Sequence, residues 1–217
     1  MSQLFPRRAN LLARLSVYGV FVVAALGVAG LLIYSRSPYP AFAQKSPTQP
    51  VPFSHALHIG LKIDCQYCHS SVTTSAWAGI PPTQTCMTCH SQVRIDSPVL
   101  APVRDSYATG KPIQWNRVHD LGDFVYFNHS IHVAKGVGCS TCHGQVSQMN
   151  QIKQVAPLTM GWCIDCHRAP EQYLRPQAEI FNTDWVPPAD QLAQGQQLVQ
   201  ANHIEVSKLT NCTICHR

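Results

Sequence analysis

The chain has 217 residues and a mass of 24.0 kDa, enough for one domain or two small ones. Charged residues make up only 12%, Leu, Val and Ile thin out after residue 35, and 16 Pro, 10 Cys and 11 His stand against them, which excludes disorder, a collagen-like repeat and an enzyme with a large aliphatic core. Most of the net charge of +5 comes from Arg7, Arg8, Arg14 and Arg36, with no acid among residues 1–36; the rest of the chain holds 12 basic and 11 acidic groups, which is not the clustered basic face of a nucleic-acid binder.

In chain order the first element is an apolar run. Leu15–Ile33 is nineteen residues without a charge, roughly 28 Å as a helix and close to the ~30 Å hydrocarbon core of a bilayer. Arg7, Arg8 and Arg14 precede it, so residues 1–34 are expected to form a cytoplasmic N-terminus and a single transmembrane anchor, with the remainder exported to the periplasmic side. A cleaved signal peptide is the competing reading, since Ala41-Phe42-Ala43 resembles a cleavage site, but the apolar stretch is longer than a usual signal core. No cysteine precedes Cys65, which excludes a lipid-modified N-terminal Cys. Residues 35–52, rich in Ser, Pro and Gln, read as a linker.

Beyond the linker all ten cysteines fall into five copies of one pattern. Motif I is Cys65-Gln-Tyr-Cys68-His69, motif II Cys86-Met-Thr-Cys89-His90, motif III Cys139-Ser-Thr-Cys142-His143, motif IV Cys163-Ile-Asp-Cys166-His167 and motif V Cys212-Thr-Ile-Cys215-His216. C-x-x-C-H is the attachment signature of c-type haem: two sulfurs two residues apart form thioethers with the vinyl groups, and the adjacent His supplies one axial nitrogen. A disulfide scaffold gives no reason for a His after every second Cys, and structural zinc rarely repeats so strictly. Five covalent haem c groups are therefore expected, one for about 37 residues after position 34. The porphyrins replace the missing aliphatic interior. Thioether attachment outside the cytoplasm agrees with export.

The soluble part contains a duplication. Phe53-Ser-His55-Ala-Leu-His58 precedes motif I and Phe127-Asn-His129-Ser-Ile-His132 precedes motif III, with a shift of 74 that also carries Cys65 to Cys139; Cys86 and Cys163 follow at a shift of 77. Residues 53–90 and 127–169 are expected to be equivalent two-haem units, 91–126 a connector, and 170–217 a C-terminal segment with the fifth haem. Short helices should surround each motif, joined by Pro-rich coil, with one helix within 189–201 starting near Asp190. No period-two alternation supports a sheet.

Six histidines lie outside the motifs: His55, His58, His119, His129, His132 and His203. Five irons need a sixth ligand if all are electron carriers, so this supply suits full occupancy. In F-x-H-x-x-H the two His are three apart, and on a helical turn they can reach two different haems. His119 and His203 are further candidate ligands. Met160, three residues before Cys163, is another, and a thioether there would raise that haem's potential; its counterpart in the first unit is Thr83. Met87 and Met149 read as packing, and Trp77, Trp115, Trp162 and Trp185 as rings against porphyrin edges.

F-x-H-x-x-H followed by C-x-x-C-H resembles the class III multihaem cytochromes, the cytochrome c3 and c7 group. That resemblance implies a mainly α fold with extensive coil, nucleated by haem. It also implies that His55 and His129 complete the irons of His69 and His143, while His58 and His132 reach other haems. The run Trp115-Asn-Arg-Val-His119-Asp-Leu-Gly-Asp-Phe-Val-Tyr-Phe-Asn-His129-Ser-Ile-His132 and Leu158-Thr-Met-Gly-Trp-Cys-Ile-Asp-Cys-His-Arg168 are more specific. They resemble the pentahaem subunit of alternative complex III, a bacterial quinol:cytochrome c (or other carrier) oxidoreductase. By that resemblance the partners are polytopic and iron–sulfur subunits of a membrane complex, plus a soluble or membrane-bound electron carrier.

The alternative is an anchored multihaem quinol dehydrogenase feeding a periplasmic reductase. Its C-x-x-C-H-x-M signature is absent, because Ser71, Gln92, Gln145 and Ala169 stand at that place. A catalytic multihaem enzyme would need an open haem, often with an altered motif, and none of the five is altered. The expectation is an electron-conducting module with no catalytic site of its own.

Overall fold

The computed structural model describes Pro6, residues 8–37 and residues 46–216. The chain divides into two compact units, 1–43 and 44–217. The Ala41–Ala43 segment lies outside the described residues.

The first unit contains α1 (Ala9–Arg36), 28 residues with a mean hydropathy of 2.3 over its most apolar window and no buried side chain. It is long and apolar enough to cross a membrane. Arg36 sits in its last turn, where a cation meets the negative end of the helix dipole.

The second unit is mainly helical, and its helices are short. They are α2 (His55–Gly60), α3 (Cys65–Cys68), α4 (Thr83–His90), α5 (Ala101–Thr109), α6 (His129–Ala134), α7 (Cys139–His143), α8 (Met160–Arg168), α9 (Gln191–Ala201) and α10 (Cys212–Cys215). Among the described residues there is no strand, only an isolated antiparallel bridge between Val137 and Leu174. Each C-x-x-C pair falls on one of these helices, with the motif His on the helix or directly after it, and α9 begins directly after Asp190, as the sequence predicts. The connector departs from expectation by carrying α5, which packs on α4 through a hydroxyl pair, Thr83 Oγ1 to Ser106 Oγ at 2.7 Å.

Helices this short do not persist alone, so local caps matter. Ser54 accepts from the Leu57 amide and Asn128 from that of Ile131; Asp64, Thr159 and Asn211 cap α3, α8 and α10 in the same way. The aliphatic core is thin. Leu174 and Ile180 are the largest fully buried side chains, and Val72, Val133 and Ile180 form the buried cluster, with Ala78 and Phe181 against it. Close backbone approach substitutes in part: α9 crosses the 170–172 turn at Gly195, where a Cβ would lie 1.9 Å from the Glu171 carbonyl oxygen.

The two units of the duplication hold each other reciprocally. The Ala56 amide donates to the Met149 carbonyl at 3.0 Å, and the Ser130 amide to the Ser75 carbonyl at 3.2 Å. Ala56 and Ser130 are related by the shift of 74, as are Ser75 and Met149. Helices α2 and α6 are therefore each anchored on the loop of the opposite unit.

Candidate functional site

The site is built from imidazoles. Just ahead of α2, Phe53 stacks on His58 (centroids 4.3 Å, 26° between planes) and meets His55 edge-on at 4.9 Å. Just ahead of α6, Phe127 does the same to His132 (4.5 Å, 28°) and His129 (4.7 Å). One aromatic ring thus contacts both histidines of each pair, one face-on and the other edge-on. The His58 Nδ1–H donates to Ser54 O at 2.8 Å, that of His132 to Asn128 O at 2.7 Å, and that of His129 to Ala76 O at 2.8 Å. With Nδ1 occupied, Nε2 is the nitrogen left for a metal.

Three of these rings face a motif histidine at one repeated spacing. His58 and His90 lie 6.3 Å apart, His129 and His143 6.4 Å, and His132 and His167 6.2 Å, centroid to centroid. Two imidazoles whose nitrogens each lie about 2 Å from one metal, on opposite sides, have centroids about 6 Å apart. The residues present therefore fit a metal held between two histidines. His55 is the fourth of the set: it neighbours His69, and its buried Nδ1 has no hydrogen-bond partner. Burial, then the charges of His69 and His58, lower its pKa to about 4. Burial also lowers that of His132 and, with His119 and His129 next in effect, brings His143 to about 3. These rings stay neutral, which is the form that coordinates a metal.

The motif histidines are oriented from behind. His69 donates to Gly79 O (2.7 Å), His90 to Val93 O (3.0 Å), His167 to Leu209 O (2.9 Å) and His216 to Phe124 O (3.1 Å). His143 differs: its Nδ1 lies 3.3 Å from His119 Nε2, and the two rings are 4.3 Å apart. Rings that close leave no room for a metal between them, so His119 meets His143 directly. His203 is exposed on the turn after α9, with φ 50°, and Met160 opens α8 at 66% exposure. The ring facing His216 is that of Phe124, at 5.8 Å.

None of the ten cysteines is in a disulfide, and the described His, Cys, Asp and Glu residues form no cluster of three or more suited to a metal ion. The cysteines instead stand in C-x-x-C pairs on α3, α4, α7, α8 and α10. Burial pushes the thiols of Cys139, Cys142 and Cys166 up to about 11, 12 and 11.

Residues 125–217 match cytochrome c7 and related cytochrome c, and residues 36–98 match the class III cytochrome c family. The chain carries class III-type multihaem cytochrome c domains. A menaquinone reductase multihaem cytochrome c subunit of Nitratidesulfovibrio vulgaris is 28% identical over 196 residues, covering 88% of each chain. These multihaem cytochrome segments bind haem c covalently through their cysteines.

One residue of the multihaem domain escaped sequence reasoning. Arg175 is 4% exposed and makes no ion pair among the described residues. Its guanidinium donates to Asn182 O, Ser140 Oγ and Thr141 Oγ1 (each 3.1 Å), stacks 4.4 Å over Trp185, and leaves Nε without a partner. It fills the space beside Gly138, where a Cβ would lie 2.2 Å from Arg175 Cζ. The only signal in the sequence is that position 138 is Gly where the first unit has Asp64. Trp77 is likewise covered by an arginine, Arg117, at 5.1 Å.

Proposed function

We propose that the chain is a membrane-anchored pentahaem cytochrome c, the electron-conducting subunit of a quinol-oxidising complex of the alternative complex III kind that delivers electrons to a periplasmic high-potential carrier. The observation that carries this reading is the spacing of 6.2–6.4 Å between three motif histidines and three histidines outside the motifs, which leaves those irons no open position for substrate. Bound haem supplies reversible one-electron chemistry. The protein supplies the rest. The ten motif cysteines attach the porphyrins, and His69, His90, His143, His167 and His216 are the first axial ligands. His55, His129, His58 and His132 are the second axial ligands at motifs I, III, II and IV. His119, His203 and Met160 are the candidate side chains for the remaining position at motif V. α1 is the anchor, with the N-terminus cytoplasmic and the haem units 53–90, 127–169 and 170–217 on the periplasmic side. A single helix cannot enclose a quinone, so the quinone site belongs to polytopic partners.

The similarity to a menaquinone reductase subunit favours a second reading, in which the same conductor carries electrons from a periplasmic donor to the quinone. Bis-imidazole ligation, which holds potentials below those of His/Met haems, suits it as well. Mass spectrometry of the mature protein should show five covalent haems; fewer would refute the pentahaem assignment. Purified with its native assembly, the chain should co-migrate with polytopic and iron–sulfur subunits. Menaquinol-driven reduction of the haems would support the first direction, and haem-driven reduction of menaquinone the second.

A further inference from the structure

The structure orders the five attachment motifs differently from the sequence. Motifs I and II touch through the residues inside them: Tyr67 Oη and Thr88 Oγ1 are 2.7 Å apart, and the Cys68 thiol lies in the field of Cys86 and Cys89. Motif I also meets motif III, across the reciprocal contact of the two units. There Ala76 O accepts from both the amide (3.2 Å) and Nδ1 (2.8 Å) of His129, Cys65 is a neighbour of Cys139, and His69 and His55 act on His143. Motif III meets motif IV, since α6 spans both by presenting His129 to His143 and His132 to His167, and the Cys142 thiol lies in the field of Cys163 and Cys166. Motif IV meets motif V: His167 donates to Leu209 O at 2.9 Å, α8 packs on the 206–208 turn, and Cys163 neighbours Cys215. No described hydrogen bond or ring contact joins motif II to motif III.

We infer that the haem domain is a wire whose stations run II–I–III–IV–V, with motifs II and V as its two ports. The order follows from how the duplication is assembled. Each unit turns its first motif inward, so the second motifs are pushed outward, and motif V extends the side of motif IV. Exposure supports the ends independently. Cys89 of motif II and Cys212 of motif V are the exposed cysteines, while the other eight are at least partly buried. Electron transfer falls steeply with separation, so nearest neighbours set the route. One electron accepted at either port leaves at the other, and the interior haems return to their starting state. The donor and the acceptor are therefore two different one-electron partners, one docking at the 83–93 end and one at the 206–216 end.

This inference rests on the pentahaem reading above, and haem counting by mass tests that reading separately. The order is tested on the holoprotein by ligand removal. His58→Ala at motif II and His55→Ala at motif I should each create one high-spin iron, whose fast relaxation is felt by adjacent low-spin haems in electron paramagnetic resonance power saturation. In the proposed order the motif II iron perturbs one low-spin signal and the motif I iron two. In sequence order the numbers are reversed, two and one, and that result overturns the proposal. Should either variant fail to mature, iron–iron distances in a structure of the wild-type holoprotein decide. The shortest should be II–I, I–III, III–IV and IV–V, and a close II–III pair would refute the order.

Discussion

The two units of the duplication share the geometry of their histidines and differ in their electrostatics. Helix α2 with Phe53 and helix α6 with Phe127 aim their histidines almost identically: the corresponding ring-to-ring distances agree within 0.2 Å, and both second histidines are tied to the carbonyl of the capping residue. The attachment helices that follow do not match. Before motif I stands Asp64, an acid whose carboxylate caps α3. At the equivalent place before motif III stands Gly138, which makes room for the buried guanidinium of Arg175. A fixed positive charge opposes the extra charge of ferric iron and raises a haem's potential, and a negative one lowers it. The duplication thus preserves the arrangement of its imidazoles and varies the charge beside them.

The sharpest way to break the comparison is to remove a shared element. His58→Ala and His132→Ala should each convert one haem completely from low-spin to high-spin, in motifs II and IV respectively; an unchanged low-spin optical or magnetic spectrum would refute the ligand assignment. Next in size is the electrostatic difference. Arg175→Gln should lower the potential of the motif III haem by about 1–2 kcal/mol at an effective dielectric near 20, on the order of 40–90 mV for one electron. Asp64→Asn should raise that of motif I by less, because Asp64 is exposed and screened. Spectroelectrochemical titration of the holoproteins reads both, and shifts of the same sign would remove the distinction.

The backbone offers a smaller contrast. Lys62 and Gly136 occupy the same place after the ligand helix, and both have left-handed φ, 60° and 95°. Gly136→Ala adds a Cβ 3.1 Å from the Arg175 carbonyl and should destabilise by about 1–2 kcal/mol. Lys62→Gly should be within about 1 kcal/mol of neutral, its relief of strain offset by glycine entropy. Smaller still, the cap substitutions Ser54→Ala and Asn128→Ala should each cost about 1 kcal/mol. Thermal unfolding of the holoprotein measures all four, and equal effects of the two backbone variants would contradict the asymmetry.

Much of this was legible in the chain because haem attachment is a local code. C-x-x-C-H and F-x-H-x-x-H each specify a turn of helix and the direction of its side chains, so the short helices at residues 55–60, 65–68, 129–134 and 139–143 could be read directly. The helix after Asp190 was readable from its apolar spacing. What was not legible depends on distant segments. Helix α5 has Pro at its start and little periodicity, and it is held by α4. The contact of His119 with His143 was not readable either, because sequence does not reveal which distant rings meet. Arg175 lies far along the chain from the motif it abuts, and its only trace is the glycine that accommodates it.

The reciprocal hydrogen bonds between Ala56 and Met149 and between Ser130 and Ser75 have the form of an isologous interface, in which each patch meets its own counterpart. The duplicated halves therefore sit as the protomers of a homodimer fused in tandem. In a true homodimer every mutation at the seam would strike twice and both sides would stay alike. Fusion lifts that constraint, so one half could keep an aspartate where the other made room for an arginine.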